Sequence, residues 1–140
     1  DTAKNFYSTK LKFPYKRDTL LIVPSFGYLN NERGINMSYN LKNIVKGYSL
    51  NKKGKKFFNL KIEKSFDFLT KTDIPVLELF DIVPFLYTGE VWDNEIENYN
   101  LKSSVGIGLV LKTGDLNLRF DNIINDRNKK FFIINVEKSY

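Results

Sequence analysis

LKSSVGIGLVLKTGDLNLRFDNIINDRNKKFFIINVEKSY, residues 101–140, holds three stretches that alternate apolar with small or polar residues, divides them with polar turns and closes on an aromatic side chain. Val105, Ile107, Leu109 and Leu111 share one parity, while Ser104, Gly106, Gly108 and Lys112 fall on the other with Val110. Successive strand side chains point to opposite faces, so the spacing predicts a strand with one greasy face and one small or wet face. Residues 112–115 then reverse the chain, Gly114 supplying a positive φ at little cost. Leu116, Leu118 and Phe120 next alternate with Asn117, Arg119 and Asp121. After a polar loop over 126–130, Phe132, Ile134, Val136 and Tyr140 oppose Asn135, Glu137 and Ser139. Lys138 is the charge on the greasy side, near a chain end where it can snorkel.

Working outward, the same period gives about eight strands and no helix. Residues 5–15 set Tyr7, Thr9, Leu11 and Phe13 against Ser8, Lys10 and Lys12. Residues 19–29 are greasier, and Pro24 there is costly in a central ladder unless a bulge or an edge takes it. Ile35, Met37, Tyr39 and Leu41 alternate with Asn36, Ser38, Asn40 and Lys42 as a two-faced strand, and residues 43–56 follow as a long polar loop. Phe58, Leu60, Ile62, Phe66 and Phe68 then oppose Asn59, Lys61, Glu63, Ser65 and Asp67. Lys64 breaks that face, which calls for a bulge or a position near an interface. Residues 79–89 form a further strand, and 90–100 an acidic loop holding the sole tryptophan, Trp92, read as an interfacial anchor. No repeat or boundary divides residues 1–140, which read as a single domain.

Composition narrows the chemistry. Cysteine and histidine are both absent, so thiolate nucleophiles, serine triads and the common metal sites lose essential members, and no enzyme, cofactor or metal is expected. The carboxylates Glu90, Asp93, Glu95 and Glu97 lack an ordered chelating spacing. A net charge of +6 with 15% aromatics raises nucleic acid as a partner. Much of that charge, however, sits in Lys52, Lys53, Lys55 and Lys56 around Gly54, which a solvated loop explains, so no nucleic acid is expected. No apolar run approaches the roughly 18 residues of a membrane helix. The chain opens at Asp1 and its one methionine is Met37, so it is expected to be a piece of something longer.

Two proteins fit such strands. In a soluble lipocalin-like barrel the greasy face fills the interior and binds a small apolar ligand; in a membrane barrel it faces lipid and the polar face lines the lumen. Several runs reach the roughly 9–11 residues a tilted strand needs to cross a bilayer, which favours the membrane. The fold expected is all-β and antiparallel, with strand length leaning toward a transmembrane β-barrel and the soluble barrel still open.

Val45-Lys46-Gly47-Tyr48, then Glu63, then Pro84-Phe85-Leu86-Tyr87-Thr88-Gly89-Glu90-Val91-Trp92, then Ser104-Val105-Gly106-Ile107-Gly108-Leu109 occur in that order over about residues 40–140. Their order and spacing resemble the C-terminal half of the bacterial surface-antigen barrels. That superfamily includes BamA-type assembly factors, the mitochondrial Sam and chloroplast Toc channels, and the translocator barrels of patatin-like autotransporters. The resemblance implies a sixteen-stranded barrel of which this chain supplies half. It implies an outer-membrane location, bacterial first, and a function in protein assembly or translocation. The partners implied are the lipid bilayer, a missing N-terminal barrel half or a second copy unless these strands close on themselves into a small eight-stranded barrel, a translocated or inserted polypeptide and the barrel assembly machinery.

The resemblance also implies an anchor for the long loop inside the lumen. By motif position Lys46 stands where the family has an arginine, Tyr87 where it has an aspartate, and Glu63 takes the place of a strand glutamate, with Gly47, Tyr48, Phe85 and Gly89 completing the two motifs. Lysine lacks the arginine fork and tyrosine offers a hydroxyl for a carboxylate. The expectation is that Lys46 reaches Glu63 with the Tyr87 hydroxyl as a further acceptor; the alternative is a solvated loop lysine. The erosion of that pair points toward a specialised passenger translocator. Phe132, Ile134, Val136 and Tyr140 resemble the C-terminal sorting signal of such barrels, and Gly106 and Gly108 are expected to let the wall bend or the loop approach.

Overall fold

The computed structural model of the chain describes residues 3–15, 18–30, 37–66, 72–93 and 101–138, without the side chains of residues 3 and 4. Tyr140, the turn at 31–34, the acidic stretch at 94–100 and Phe68 lie outside the described residues. The chain is all-β and antiparallel. Its strands are β1 (Ala3–Ser8), β2 (Leu11–Tyr15), β3 (Asp18–Asn30), β4 (Tyr39–Asn40), β5 (Lys53–Gly54), β6 (Lys56–Ser65), β7 (Phe80–Trp92), β8 (Lys102–Lys112), β9 (Leu116–Asn125) and β10 (Lys130–Lys138). A single-turn helix α1 (Leu41–Ile44) follows β4, and a 3-10 turn (Leu77–Leu79) precedes β7.

The main sheet is a meander in the order β1/β2, β3, β6, β7, β8, β9, β10, with β4 and β5 forming a separate two-stranded ribbon. Among the described residues β1/β2 and β10 are its two edges, and the sheet is open. Registers pair Leu21 with Glu63, Glu63 with Phe85, Phe85 with Gly106 and Gly106 with Ile123, which places these residues on one face. Ile82, Leu109, Phe120 and Ile134 form a row on the other.

The two faces of the open sheet differ in cover. Ile107 (59% exposed), Leu109 (37%), Phe132 (60%), Ile134 (58%) and Val136 (62%) are open to the surroundings, whereas Glu63, Arg119, Asp121 and Asn125 are buried. Leu118 and Phe120 lie on the open face with them, half-buried. The face that carries this row of apolar side chains is the one left uncovered.

Residues 5–15 do not run as one strand. Ser8 pairs with Ser25 and Leu11 with Ile22, so no residue is inserted, yet the ladder lapses at Thr9 and Lys10. The cause is Pro24, which has no N–H to donate to Thr9; the Thr9 N–H still donates to the Pro24 carbonyl, at 3.3 Å. Lys64 causes no slip either. It is exposed one residue from the end of β6, its ammonium 4.8 Å from the Phe66 ring centre.

The expected strand over residues 35–42 is the main correction to the fold. Of its described part only Tyr39 and Asn40 are extended, paired with β5 rather than with the main sheet. The Asn40 side chain then accepts from the Lys42 N–H at 3.3 Å and caps α1. One turn of helix puts Leu41 and Val45 on the same side, where both are fully buried. Their burial is worth about 1.5–3 kcal/mol for each such side chain. The loop at 43–56 is thus neither wholly polar nor free in solvent. It packs on the covered face with Leu29, Phe57, Phe85, Tyr87, Val91 and Ile123. Strand β7 also outruns its expected end at Gly89, and Glu90 and Trp92 belong to it, Trp92 pairing with Lys56.

Candidate functional site: the loop anchor on the covered face

Residues 45–48 cross the covered face and touch four strands. Val45 packs over Gly89, where an added Cβ would lie 3.0 Å from Val45 Cγ2 and 2.4 Å from the Phe58 carbonyl. The Lys46 carbonyl accepts from Ser104 Oγ at 2.5 Å, and the Gly47 carbonyl from Asn125 Nδ2 at 3.1 Å. Gly47 has φ +88, and a Cβ there would meet Ile123 Cγ2 at 2.6 Å, so both conformation and contact require glycine. The Tyr48 hydroxyl donates to the Asp126 carboxylate, with the Ser103 carbonyl 3.2 Å away. Asn59 Nδ2 donates to the Ile44 carbonyl at 2.6 Å and holds the turn from the other side.

The Lys46 ammonium pairs with Asp121, not with Glu63 as expected. Asp121 is wholly buried and also receives Arg119 Nε at 2.8 Å. Arg119 reaches across to Glu63 with Nη2 at 2.9 Å, and Glu63 accepts from the Tyr87 hydroxyl at 2.8 Å and pairs with Lys61 at 3.3 Å. The Phe85 ring lies beneath both cations, its centre 5.9 Å from Lys46 Nζ and 5.3 Å from Arg119 Cζ, and meets Tyr87 edge-on at 5.1 Å. With its amide oxygen facing Lys46, Asn135 of β10 accepts from that ammonium at 3.0 Å.

Arg119 therefore fills the space between Glu63 and Asp121 and leaves Lys46 the outer side of the aspartate. Two carboxylates buried together would repel, and a guanidinium with separated donors bridges them where an ammonium cannot. The sequence motifs marked Lys46, Gly47, Tyr48, Glu63, Phe85, Tyr87 and Gly89, and the structure brings all of them to this face. In the sequence Arg119, Asp121 and Asn135 stand only as the polar side of their strands. The one available signal was the Arg119–Asp121 spacing, which puts opposite charges on the same strand face.

Gly106 and Gly108 serve the close approach. A Cβ on Gly108 would lie 2.4 Å from Asp121 Oδ1, and one on Gly106 would lie 2.3 Å from the Asn122 carbonyl and 2.5 Å from the Phe85 ring. Phe132, Ile134 and Val136 stand apart from the anchor, on the open face of edge strand β10.

A second tether holds the far part of the loop. Glu90, 5% exposed, pairs with Lys52 at 2.8 Å and Lys102 at 3.3 Å and accepts from the Val91 N–H at 2.9 Å. Gly54 lies against the Trp92 backbone, too close for any side chain. Among the described residues no group of His, Cys, Asp or Glu side chains is arranged to hold a metal ion. What the arrangement does is mechanical: it fixes a loop across the covered face of a sheet by charge, hydrogen bonds and apolar packing.

No protein-family model and no curated protein matches the chain.

Proposed function

We propose that this chain is a wall segment of an outer-membrane β-barrel, bacterial in origin, which works in protein assembly or translocation with the 45–48 loop fixed inside the lumen. The observation that carries the reading is the uncovered apolar face of the sheet, with Ile107, Leu109, Phe132, Ile134 and Val136 bare, while Glu63, Arg119 and Asp121 are buried on the other face beside an apolar cluster. A contiguous exposed apolar surface marks a lipid or protein interface. Strand length supports lipid. β3 and β7 have 13 residues, β8 has 11, β6 and β9 have 10 and β10 has 9, against roughly 9–11 needed to cross a bilayer. No described helix is long and apolar enough to cross a membrane, so crossing would fall to the strands.

The open edges set the partners. In hydrocarbon each orphan backbone group costs several kcal/mol, so β10 and β1/β2 require further strands from a missing barrel half or a second copy. The translocation reading rests on the resemblance and on a polar face able to line a passage for an extended chain.

The test is extraction and gel mobility. The chain is expected to fold only in detergent micelles or lipid vesicles and to run with heat-modifiable mobility. A monodisperse monomer in water without detergent would overturn the reading and favour a soluble barrel.

A further inference from the structure

The open face carries a groove of about 810 Å³ over β8, β9 and β10. That size falls in the range of roughly 300–1,000 Å³ typical of small-molecule sites. Its lining is ordered by register into rows across the strands. One row joins Val105, Ile124 and Lys130; the next joins Ile107, Asn122 and Phe132; the third joins Leu109 and Phe120, with Ile82 beyond them. The third row is wholly apolar, the middle row carries one amide, and the first carries one ammonium. Lys130 is exposed at the start of β10 opposite Ile124, and Asn122 is exposed between Ile107 and Phe132.

An amide and an ammonium on an otherwise greasy face are costly unless something meets them. Adjacent rows are two residues apart, about 7 Å along the strand. The face thus presents a positive charge, then a hydrogen-bond donor about 7 Å deeper, then hydrocarbon. An acyl lipid has the complementary sequence: an anionic head, an ester carbonyl below it, then its chain. Arg127 and Lys129, exposed in the β9–β10 turn, add two positive charges beside the head position against the one negative charge of Asp126, whose carboxylate is turned to the Tyr48 hydroxyl.

We propose that this groove binds one anionic phospholipid, with the head-group phosphate at Lys130, an ester carbonyl at the Asn122 amide and an acyl chain over Leu109 and Phe120. The proposal rests on the membrane-wall reading above and adds to it a lipid class and a place on the wall.

Native mass spectrometry of the full chain folded in a neutral detergent tests it, with phosphatidylglycerol and phosphatidylcholine supplied in equal amounts. The wild type is expected to retain one phosphatidylglycerol in preference to phosphatidylcholine. Lys130→Gln should cut that preference about fivefold, the effect of one cation at a lipid surface. Asn122→Leu should weaken retention of both lipids alike, and heat-modifiable mobility should show that each variant folds. An unchanged preference in Lys130→Gln, or a lipid-free dimer that covers the groove with a second copy, overturns the proposal. A chain that needs detergent yet selects no lipid defeats the proposal and leaves the wall reading standing. A water-soluble monomer that still retains phosphatidylglycerol through Lys130 defeats the wall reading and supports the groove.

Discussion

Lys46 and Asp121 stand 75 positions apart in the chain and close a salt bridge on the covered face of the sheet. The pair joins the long loop to β9. Its aspartate is fully buried, and its lysine side chain keeps 19% of its surface exposed. The two ends therefore respond differently to removal.

Asp121→Asn leaves Arg119 and Lys46 facing each other without the carboxylate that separates them. Losing one partner of a buried ion pair costs about 3–5 kcal/mol, and that loss is expected in denaturant unfolding of the detergent-folded protein. Lys46→Met should cost less, about 1–2 kcal/mol, because Arg119 still satisfies Asp121.

Gly47→Val places a branched side chain at φ +88 and against Ile123. The left-handed conformation alone costs about 1–2 kcal/mol, and the contact adds to it. The loop is expected to leave the sheet while the strands persist, so trypsin should cleave after Lys42 or Lys46 at least tenfold faster than in the wild type. Equal cleavage rates would mean that the loop is held by the Glu90 tether instead.

Gly106→Ala and Gly108→Ala should differ in kind. At Gly106 the new methyl meets a backbone carbonyl that is fixed in the β8–β9 ladder, and about 1–3 kcal/mol of overpacking is expected. At Gly108 it meets the Asp121 carboxylate, so its cost should largely vanish in an Asp121→Ala background. Stability curves of the three singles, Gly106→Ala, Gly108→Ala and Asp121→Ala, and of the two doubles measure that coupling.

Leu109→Lys probes the open face. If lipid covers Leu109, folding into vesicles should lose about 2–4 kcal/mol, since the residue lies near the middle of β8. At a water-facing position the same change stays within about 0.5 kcal/mol. A vesicle folding titration separates the two.

Much of the sheet was legible from residue alternation. The parity of residues 104–111 set the two faces of β8, and Gly114, at φ +81, marked the β8–β9 turn by composition. Pro24 announced a defect in its ladder, although its effect fell on the neighbouring strand at Thr9 and Lys10. Residues 35–42 show the limit. Tyr39 and Leu41 have strand spacing, but they leave the sheet for the apolar cluster on its covered face, and period alone does not distinguish those destinations.

The site was legible only in part, for the same reason. Local order in the sequence determined which residues are strand, which side chains share a face and which loop has a glycine able to turn inward, because these depend on neighbours two to four positions away. Tertiary structure alone decided that Lys46 meets Asp121, that Arg119 takes Glu63 and that the greasy face is the uncovered one. Those outcomes depend on the registers of β6, β7, β8 and β9 and on the space between their side chains, which no local spacing specifies.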